Sequence, residues 1–206
     1  MKAIVTGGCG FIGSHLVDLL VSKSIDVTVL DDLSSGRIEN ISQNINNVNF
    51  IETNMQSKEE LSKIIEDDDI VYHMAGLADV VPSIEMPTKY FLANVYTTQF
   101  LLEACREKKI KSFIYAASSS CYGIPNNFPT NESETCKPLY PYALTKYLGE
   151  QLCMHWAGVY KLPINSMRLF NVYGPRARTA GTYGAAFGVF IGQMLNKLPL
   201  TIVGDG

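Results

Sequence analysis

Tyr142 and Lys146 stand four residues apart in the run Pro141-Tyr142-Ala143-Leu144-Thr145-Lys146. Proline fits the first turn of a helix, and on a helix that spacing puts both side chains on one face. An ammonium beside a phenol favours the phenolate and lowers its pKa, which makes a tyrosine usable as a general base near neutral pH. The pattern alone is weak, because Y-x-x-x-K also arises as a surface tyrosine beside a solvated lysine. Two other stretches add to its weight. One is the serine cluster Ser118-Ser119-Ser120, which follows an apolar run. The other is Thr6-Gly7-Gly8-Cys9-Gly10-Phe11-Ile12-Gly13, which lies between the apolar Ala3-Ile4-Val5 and a helical pattern. Strand, glycine turn and helix in that order make a phosphate-binding context. Gly7 suits a turn with positive φ, Gly10 a close backbone approach to a pyrophosphate, and Gly13 close packing of helix on strand. The helix N-terminus adds free N–H groups and the positive end of its dipole. The spacing is G-x-x-G-x-x-G rather than G-x-G-x-x-G, and a plain glycine turn is the alternative.

Asp31 closes the next apolar run, Val27–Leu30, about 20 residues past the glycines. There a dinucleotide site holds the adenosine ribose hydroxyls. A carboxylate at that place would repel a 2′-phosphate, so it favours NAD over NADP, with Arg37 nearby as the opposing feature. Asp32 by itself reads as a solvated turn residue.

The elements needed to position these groups follow in the sequence. Phe11–Lys23 reads as a helix with Ile12, Leu16, Leu19 and Leu20 on its inner face. Leu33–Asn47 reads as a polar loop. Val48–Ile51 and Asp69–His73 read as strands, with a short helix at Ser57–Glu66 between them. Pro87 opens a long helical stretch to about Lys108. Lys111–Ala117 and Pro163–Phe170 are further strands, and Gly184–Lys197 is a further helix. Alternating strands and helices predict an α/β fold of Rossmann type, a doubly wound parallel sheet of six or seven strands with helices on both faces. Ligands bind such sheets at the carboxyl ends of the strands. The small residues of His73-Met74-Ala75-Gly76 suit close approach of a cofactor at one such end, while His73 itself reads as a packed histidine. Arg176 and Arg178, on the loop after the sixth strand, are either ligands for a substrate pyrophosphate or solvated charges.

Composition excludes several classes. With 206 residues and 47% hydrophobic and 18% charged side chains, the chain can bury a sizeable core. A formal charge of −3 provides no basic footprint for nucleic acid and no polybasic membrane signal. No apolar run is long enough to span a bilayer, and the N-terminus enters its first strand without signal-peptide features. Five scattered cysteines without a C-x-x-C pair predict reduced thiols, a cytoplasmic location and no metal site. Cys9, inside the glycine loop, is either an oxidation-sensitive thiol or simply a small side chain. The helical stretch at 87–108 carries more apolar positions than one core-facing stripe requires, so it predicts a dimer interface or a covering helix of the same chain.

Taken together, the chain resembles the extended short-chain dehydrogenase/reductase family and, within it, the nucleotide-sugar epimerases and dehydratases. The resemblance rests on TGGCGFIGSHL at 6–16, LDDLSSG at 30–36, HMAG at 73–76, the run from Pro87 through Tyr90 to Asn94, SSSCYG at 118–123, PYALTK at 141–146 and RLFNVYGPR at 168–176. It implies an NAD-binding Rossmann domain over residues 1–170 and part of a smaller substrate-binding region over 171–206. It implies that Phe11 and Ile12 place backbone at the pyrophosphate and that Asp31 is the ribose ligand. Asp32, Ser35 and Gly36 complete the cofactor set after the second strand. Asn54 and Met55 stand where the family usually has an acidic residue near the adenine. Met74, Ala75, Gly76, Asn94 and Phe170 fall on the nicotinamide side. Ser118 matches the group that hydrogen-bonds the sugar hydroxyl being oxidised, Tyr142 the base, and Lys146 the lysine that binds the nicotinamide ribose and tunes the tyrosine. Ser120, Asn171 and Arg176 fall on the substrate side. The family also implies a homodimer through helices at about 87–108 and 141–160. It continues for roughly another hundred residues past Gly206, on the usual size range of such domains. The 206 residues are therefore expected to be an incomplete piece that binds NAD better than it converts a sugar.

Relatives that eliminate water carry an Asp-Glu pair just after the catalytic serine or threonine, and decarboxylases commonly a Glu. Here Ser119, Ser120 and Cys121 supply no acid. That favours C4 epimerisation of a nucleotide sugar, such as a UDP-sugar, through a 4-keto intermediate. A 4,6-dehydratase, a decarboxylase or an NAD-binding module without turnover are the alternatives.

Overall fold

The computed structural model describes residues 2–177 and 186–202. The chain divides into two compact units, Met1–Phe170 and Asn171–Gly206.

The first unit is built on six parallel strands in the order β3-β2-β1-β4-β5-β6. They are β1 (Lys2–Thr6), β2 (Asp26–Asp31), β3 (Val48–Glu52), β4 (Ile70–His73), β5 (Ser112–Ser118) and β6 (Ile164–Leu169). Helices cover both faces, so central strands bury both sides and lose the alternation of a half-exposed strand. Ala3, Ile4, Val5 and Thr6 of β1 are all buried, as are Val27–Asp31 of β2. One core layer gathers Ile4, Leu30, Leu61, Val71, Leu101, Leu102, Phe113 and Tyr115. The other gathers Ala3, Val5, Val17, Leu20, Val27, Val29 and Ile41.

Helix α1 (Phe11–Ser22) packs on the second layer through Gly13, Ser14, Val17 and Leu20. Leu19, expected inward, is 52% exposed, so the buried stripe is rotated from the sequence-based one. The polar stretch expected as a loop contains a 3₁₀ helix at Ile38–Asn47, which buries Ile41 against α1 and the sheet. Helix α2 (Lys58–Ile64) starts at Ser57, whose hydroxyl accepts the Glu60 N–H. Helix α3 (Val80–Glu85) was not expected from the sequence.

The stretch from Pro87 is three pieces: α4 (Pro87–Phe91), a π-helical turn (Leu92–Tyr96) and α5 (Thr97–Arg106). Helix α6 (Pro141–Tyr160) begins at Pro141 and ends where Lys161 turns left-handed at φ 59°. It lies close to β5 because Gly149 faces Tyr115, where a Cβ would meet the phenol oxygen.

Helix α7 (Ala186–Leu195) belongs to the second unit, and the expected start of that helix at Gly184 lies outside the described residues. Phe187 and Phe190 of α7 are exposed.

Candidate active site

The register brings three strand ends into one row. Thr6 of β1 is level with Leu30 of β2 and His73 of β4. Gly7, Asp31 and Met74 therefore emerge side by side at the carboxyl edge, where the strand order reverses between β1 and β4. That reversal is the usual ligand crevice of an open α/β sheet.

Two glycines of the loop are enforced by contacts. Gly7 has φ +67°, and a Cβ on it would lie 2.7 Å from both Cα and N of Ala75. A Cβ on Gly13 would fall well inside contact distance of the Gly7 carbonyl oxygen and 2.8 Å from its carbon. Helix α1 thus starts with its backbone against the loop. Its N-cap is Gly10, with no side-chain cap and no acidic residue in the first turn. The N–H groups of Phe11, Ile12 and Gly13 consequently have no acceptor within the helix.

Asp31 fixes the loop. Its Oδ2 accepts the Cys9 N–H at 2.9 Å and its Oδ1 the Leu33 N–H at 2.9 Å. Burial raises the pKa of this carboxyl, against the lowering effect of those two bonds. Each oxygen keeps a second lone pair for a ribose hydroxyl. Gly36 closes over the same spot, since a Cβ there would come within 3.0 Å of Asp31 Oδ1. Cys9 is fully buried, and burial, then the Asp31 charge, pushes its thiol up to about 12. It is a small packed side chain rather than an oxidation-prone one.

A cavity of about 470 Å³ opens at this edge. Gly7, Gly10, Asp31, Asp32, Ser35, Asn54, Met55, Met74, Ala75 and Gly76 line it, ten of the positions named from the sequence. Asp32 ties its own turn by accepting Ser34 N–H at 2.9 Å, and Asn54 accepts Gln56 N–H at 3.1 Å. Ser34, Gln56, Leu77, Thr88, Lys89, Leu92, Ala93 and Thr97 also line the cavity and were missed. Thr88, Leu92 and Lys89, Ala93 are i,i+4 pairs, so the helical spacing after Pro87 carried a signal for them. The glycine loop, the bare helix N-terminus, the acidic Asp31 and the shallow floor at Ala75-Gly76 together fit a dinucleotide.

Behind the floor lies a directional chain of hydrogen bonds. Thr98 Oγ1 donates to the Asn94 carbonyl at 2.7 Å, so it accepts from His73 Nε2 at 2.8 Å. His73 Nδ1 then accepts from Thr6 Oγ1 at 2.7 Å, and Thr6 Oγ1 accepts the Ala75 N–H at 3.2 Å. Burial, then the Lys146 charge, lowers the His73 pKa to about 3, so the ring is neutral. His73 is a packed, hydrogen-bonded histidine, as its sequence reading implied, and through Thr6 it helps hold the floor. Asn94 is buried in the π-helical turn. Its amide accepts the Leu77 N–H and donates to the Leu77 carbonyl and to Thr145 Oγ1. A π turn inserts an extra residue and re-aims a side chain, often beside a functional site.

The second half of the site is at the end of β5. Ser118 caps the 3₁₀ turn Ser119–Tyr122, accepting the Ser120 N–H at 3.2 Å. Its hydroxyl is 2.8 Å from Ser120 Oγ and 3.2 Å from the Tyr142 hydroxyl, which donates to it. Tyr142 is anchored through its backbone N–H to Ser83 Oγ at 3.0 Å, the contribution of α3. Lys146 is buried, its Nζ 4.5 Å from the Tyr115 ring centroid. A Cβ on Gly76 would lie 3.7 Å from that Nζ, so the lysine borders the cavity floor. Burial lowers the Lys146 pKa to about 8. For Tyr142, burial raises the pKa while the Ser118 hydrogen bond lowers it. The expected lowering by Lys146 does not prevail, because the hydroxyl is desolvated and bonded to Ser118 while the ammonium sits over Tyr115.

Several named residues stand apart from the cavity lining. Phe11, Ile12, Gly13 and Gly36 are not among its lining residues, and Asn94 lies behind the floor. Phe170 is 60% exposed and stacks on Tyr122. Asn171 and Arg176 belong to the second unit, and Arg178 lies outside the described residues. Sequence reasoning also missed Arg168, whose guanidinium grips Glu150 of α6 at 2.7 Å and donates to the Tyr122 hydroxyl at 2.9 Å. It pins α6 to the turn that Ser118 caps. Among the described residues no group of three His, Cys, Asp or Glu side chains is arranged to hold a metal ion. None of the described helices is long and apolar enough to cross a membrane.

A parallel sheet with a glycine loop at its reversal point, and a cavity there that fits a dinucleotide, defines a Rossmann-type nucleotide-binding fold. The chain belongs to the NAD dependent epimerase/dehydratase family, whose model matches residues 3–206. NAD is the cofactor of that family, and the short-chain dehydrogenase/reductase resemblance drawn from the motifs holds. The chain is similar to the UDP-N-acetylglucosamine 4-epimerase of Methanobrevibacter ruminantium, solved with UDP-N-acetylmuramic acid. That match has 39% identity and a TM-score of 0.94 over 100% of this chain and 66% of that one. It is similar to the UDP-glucuronic acid 4-epimerase of Bacillus cereus, solved with NAD, at 37% identity and a TM-score of 0.88, over 100% and 66% of the chains. It is 32% identical to a UDP-N-acetyl-alpha-D-glucosaminuronate decarboxylase of Bacillus cytotoxicus over 100% of this chain and 64% of that protein. The chain thus spans about two thirds of the length of such relatives.

Proposed function

We propose that this protein catalyses NAD-dependent epimerisation at C4 of a nucleotide-diphosphate sugar, with a UDP-sugar as the substrate class. The observation that carries the reading is the Tyr142 hydroxyl 3.2 Å from Ser118, on a helix whose Lys146 borders the floor of the dinucleotide cavity. In this reading Gly7, Gly10 and the first-turn amides of Phe11, Ile12 and Gly13 receive the pyrophosphate, and Asp31 accepts the ribose hydroxyls. Bound NAD supplies a hydride acceptor and a nearby positive charge. That charge works against the burial that holds Tyr142 protonated. NAD held there would accept hydride from C4 and return it to the other face of the 4-keto sugar once that has turned. Tyr142 takes the proton of the 4-hydroxyl, directly or through Ser118, and later gives it back. Lys146 would hold the nicotinamide ribose. The turn after Ser118 carries Ser119, Ser120 and Cys121 and so offers no acid to expel a hydroxyl, which favours epimerisation over dehydration.

The reading extends to a cytoplasmic homodimer. Supporting it, Phe91 and Tyr96 are 40% and 46% exposed on the stretch after Pro87, and Leu144 and Met154 are 45% and 46% exposed on α6. A concentration-independent monomer in sedimentation would exclude the dimer. The activity is tested by incubating the protein, and a form extended to the length of its relatives, with NAD and UDP-, GDP- and dTDP-sugars and reading products by NMR. A C4 epimer from a UDP-sugar supports the reading, and loss of water or of carbon dioxide instead would replace it.

A further inference from the structure

Two of the five thiols meet. Cys136 Sγ donates a weak hydrogen bond to Cys121 Sγ across 3.6 Å. The contact is held by backbone, since Lys137 N–H donates to the Cys121 carbonyl at 2.8 Å. At the neighbouring Gly123, a Cβ would collide with the Lys137 carbonyl oxygen. The two segments therefore run against each other in fixed register, and the two side chains point at one another. A disulfide has its sulfurs about 2.05 Å apart, so closure requires an approach of about 1.5 Å, within the reach of χ1 rotation and small backbone shifts. The two thiols differ in access. Cys121 is 1% exposed in the Ser119–Tyr122 turn, whereas Cys136 is half-buried on the loop that follows. Cys9, Cys105 and Cys153 are buried.

We propose that Cys121 and Cys136 form a reversible dithiol–disulfide site that exchanges with low-molecular-weight disulfides. The order of events follows from access and acidity. Burial, together with the hydrogen bond from Cys136, pushes the Cys121 thiol up to about 12, so it is the poorer first nucleophile. Cys136, as its thiolate, attacks one sulfur of the small disulfide and expels one small thiolate, which takes up a proton. Cys121 then loses its proton to solvent, and its sulfur attacks Cys136 and expels the second small thiol. Two protein thiols and one disulfide become one protein disulfide and two small thiols, with two electrons passing from the protein to the reagent. The bridge fastens the loop after Gly123 to the turn that Ser118 caps. This inference stands on the sulfur contact alone and does not depend on the sugar chemistry.

The test is oxidation of the native 206-residue chain with glutathione disulfide, followed by alkylation under denaturing conditions and peptide mass mapping. The expected product is about 2 Da lighter before alkylation, yields a linked Cys121–Cys136 peptide, and has three alkylated cysteines. Dithiothreitol restores five. Cys136→Ser, at a half-exposed position, should abolish the bridge and leave Cys121 unmodified. If Cys121→Ala folds, it should stop at a glutathione adduct on Cys136. A wild-type protein that stops at that adduct, remains fully reduced while unfolded controls oxidise, or links any other pair would overturn the proposal.

Discussion

Lys146→Met separates stability from function at the site. Lys146 is 7% exposed, and burial carries its pKa from 10.5 to about 8. A downward shift of that size means that holding the charge in the folded protein at pH 7 costs about 3 kcal/mol relative to the unfolded chain. The contact with the Tyr115 ring offsets about 1–2 kcal/mol of that cost. Methionine keeps most of the apolar stem and carries no charge, so the variant should be more stable by about 1–2 kcal/mol at neutral pH. For a chain of this size that is about 2–8 °C in thermal midpoint. The pH dependence gives a second reading. Between about pH 8 and 10.5 the unfolded lysine still binds a proton that the folded one has released. Wild-type stability therefore rises with pH across that window, and the gap to the variant closes. Thermal or urea unfolding of both proteins at pH 7 and pH 9.5 reads both effects, and an NAD titration of the variant should show weakened binding. A variant that is less stable at pH 7, or a gap indifferent to pH, would refute the buried-charge argument.

Asp31→Ala should weaken NAD binding and narrow the preference over NADP, measured by calorimetry with both. It removes two charge-assisted bonds to the loop, so stability should also fall by about 2–4 kcal/mol. Gly13→Ala drives a Cβ into the Gly7 backbone, which has no flexible side chain to yield. Helix α1 must shift, and NAD affinity should drop at least tenfold with a lowered thermal midpoint; normal binding and midpoint would show that the loop has slack. Arg168→Ala leaves Glu150 buried without its partner and should cost about 3–5 kcal/mol in urea unfolding. Replacing Glu150 by leucine in the same chain should recover much of it.

The sheet and glycine loop were readable because central parallel strands write themselves as short apolar runs, and the loop must be glycine where backbone meets backbone. The Asp31 position followed from spacing alone. What escaped the sequence depended on distant partners. The 3₁₀ helix at 38–47 forms in an Asn-rich stretch of poor propensity because Ile41 has a core to enter. The π turn around Asn94 is held by bonds to Leu77 and Thr145, 17 and 51 residues away. Six-residue α3 is too short to show a period, although it anchors Tyr142. Tyr142 and Lys146 were found by their i,i+4 spacing, but the spacing said nothing of Tyr115, which draws the ammonium over its ring. The Cys121–Cys136 contact and the Arg168–Glu150 pair have no local signature at all.

The central claim, Tyr142 as the base of a hydride-returning C4 epimerisation, is tested most directly with a UDP-sugar deuterated at C4. Wild type and Tyr142→Phe, each in a form extended to the length of its relatives, are incubated with it and NAD, and products are read by NMR. The account predicts the C4 epimer with deuterium retained at C4 for wild type, and turnover lower by about 10²–10⁴-fold for Tyr142→Phe with NAD affinity nearly unchanged. Deuterium washed out into solvent, or normal turnover by Tyr142→Phe, would contradict it.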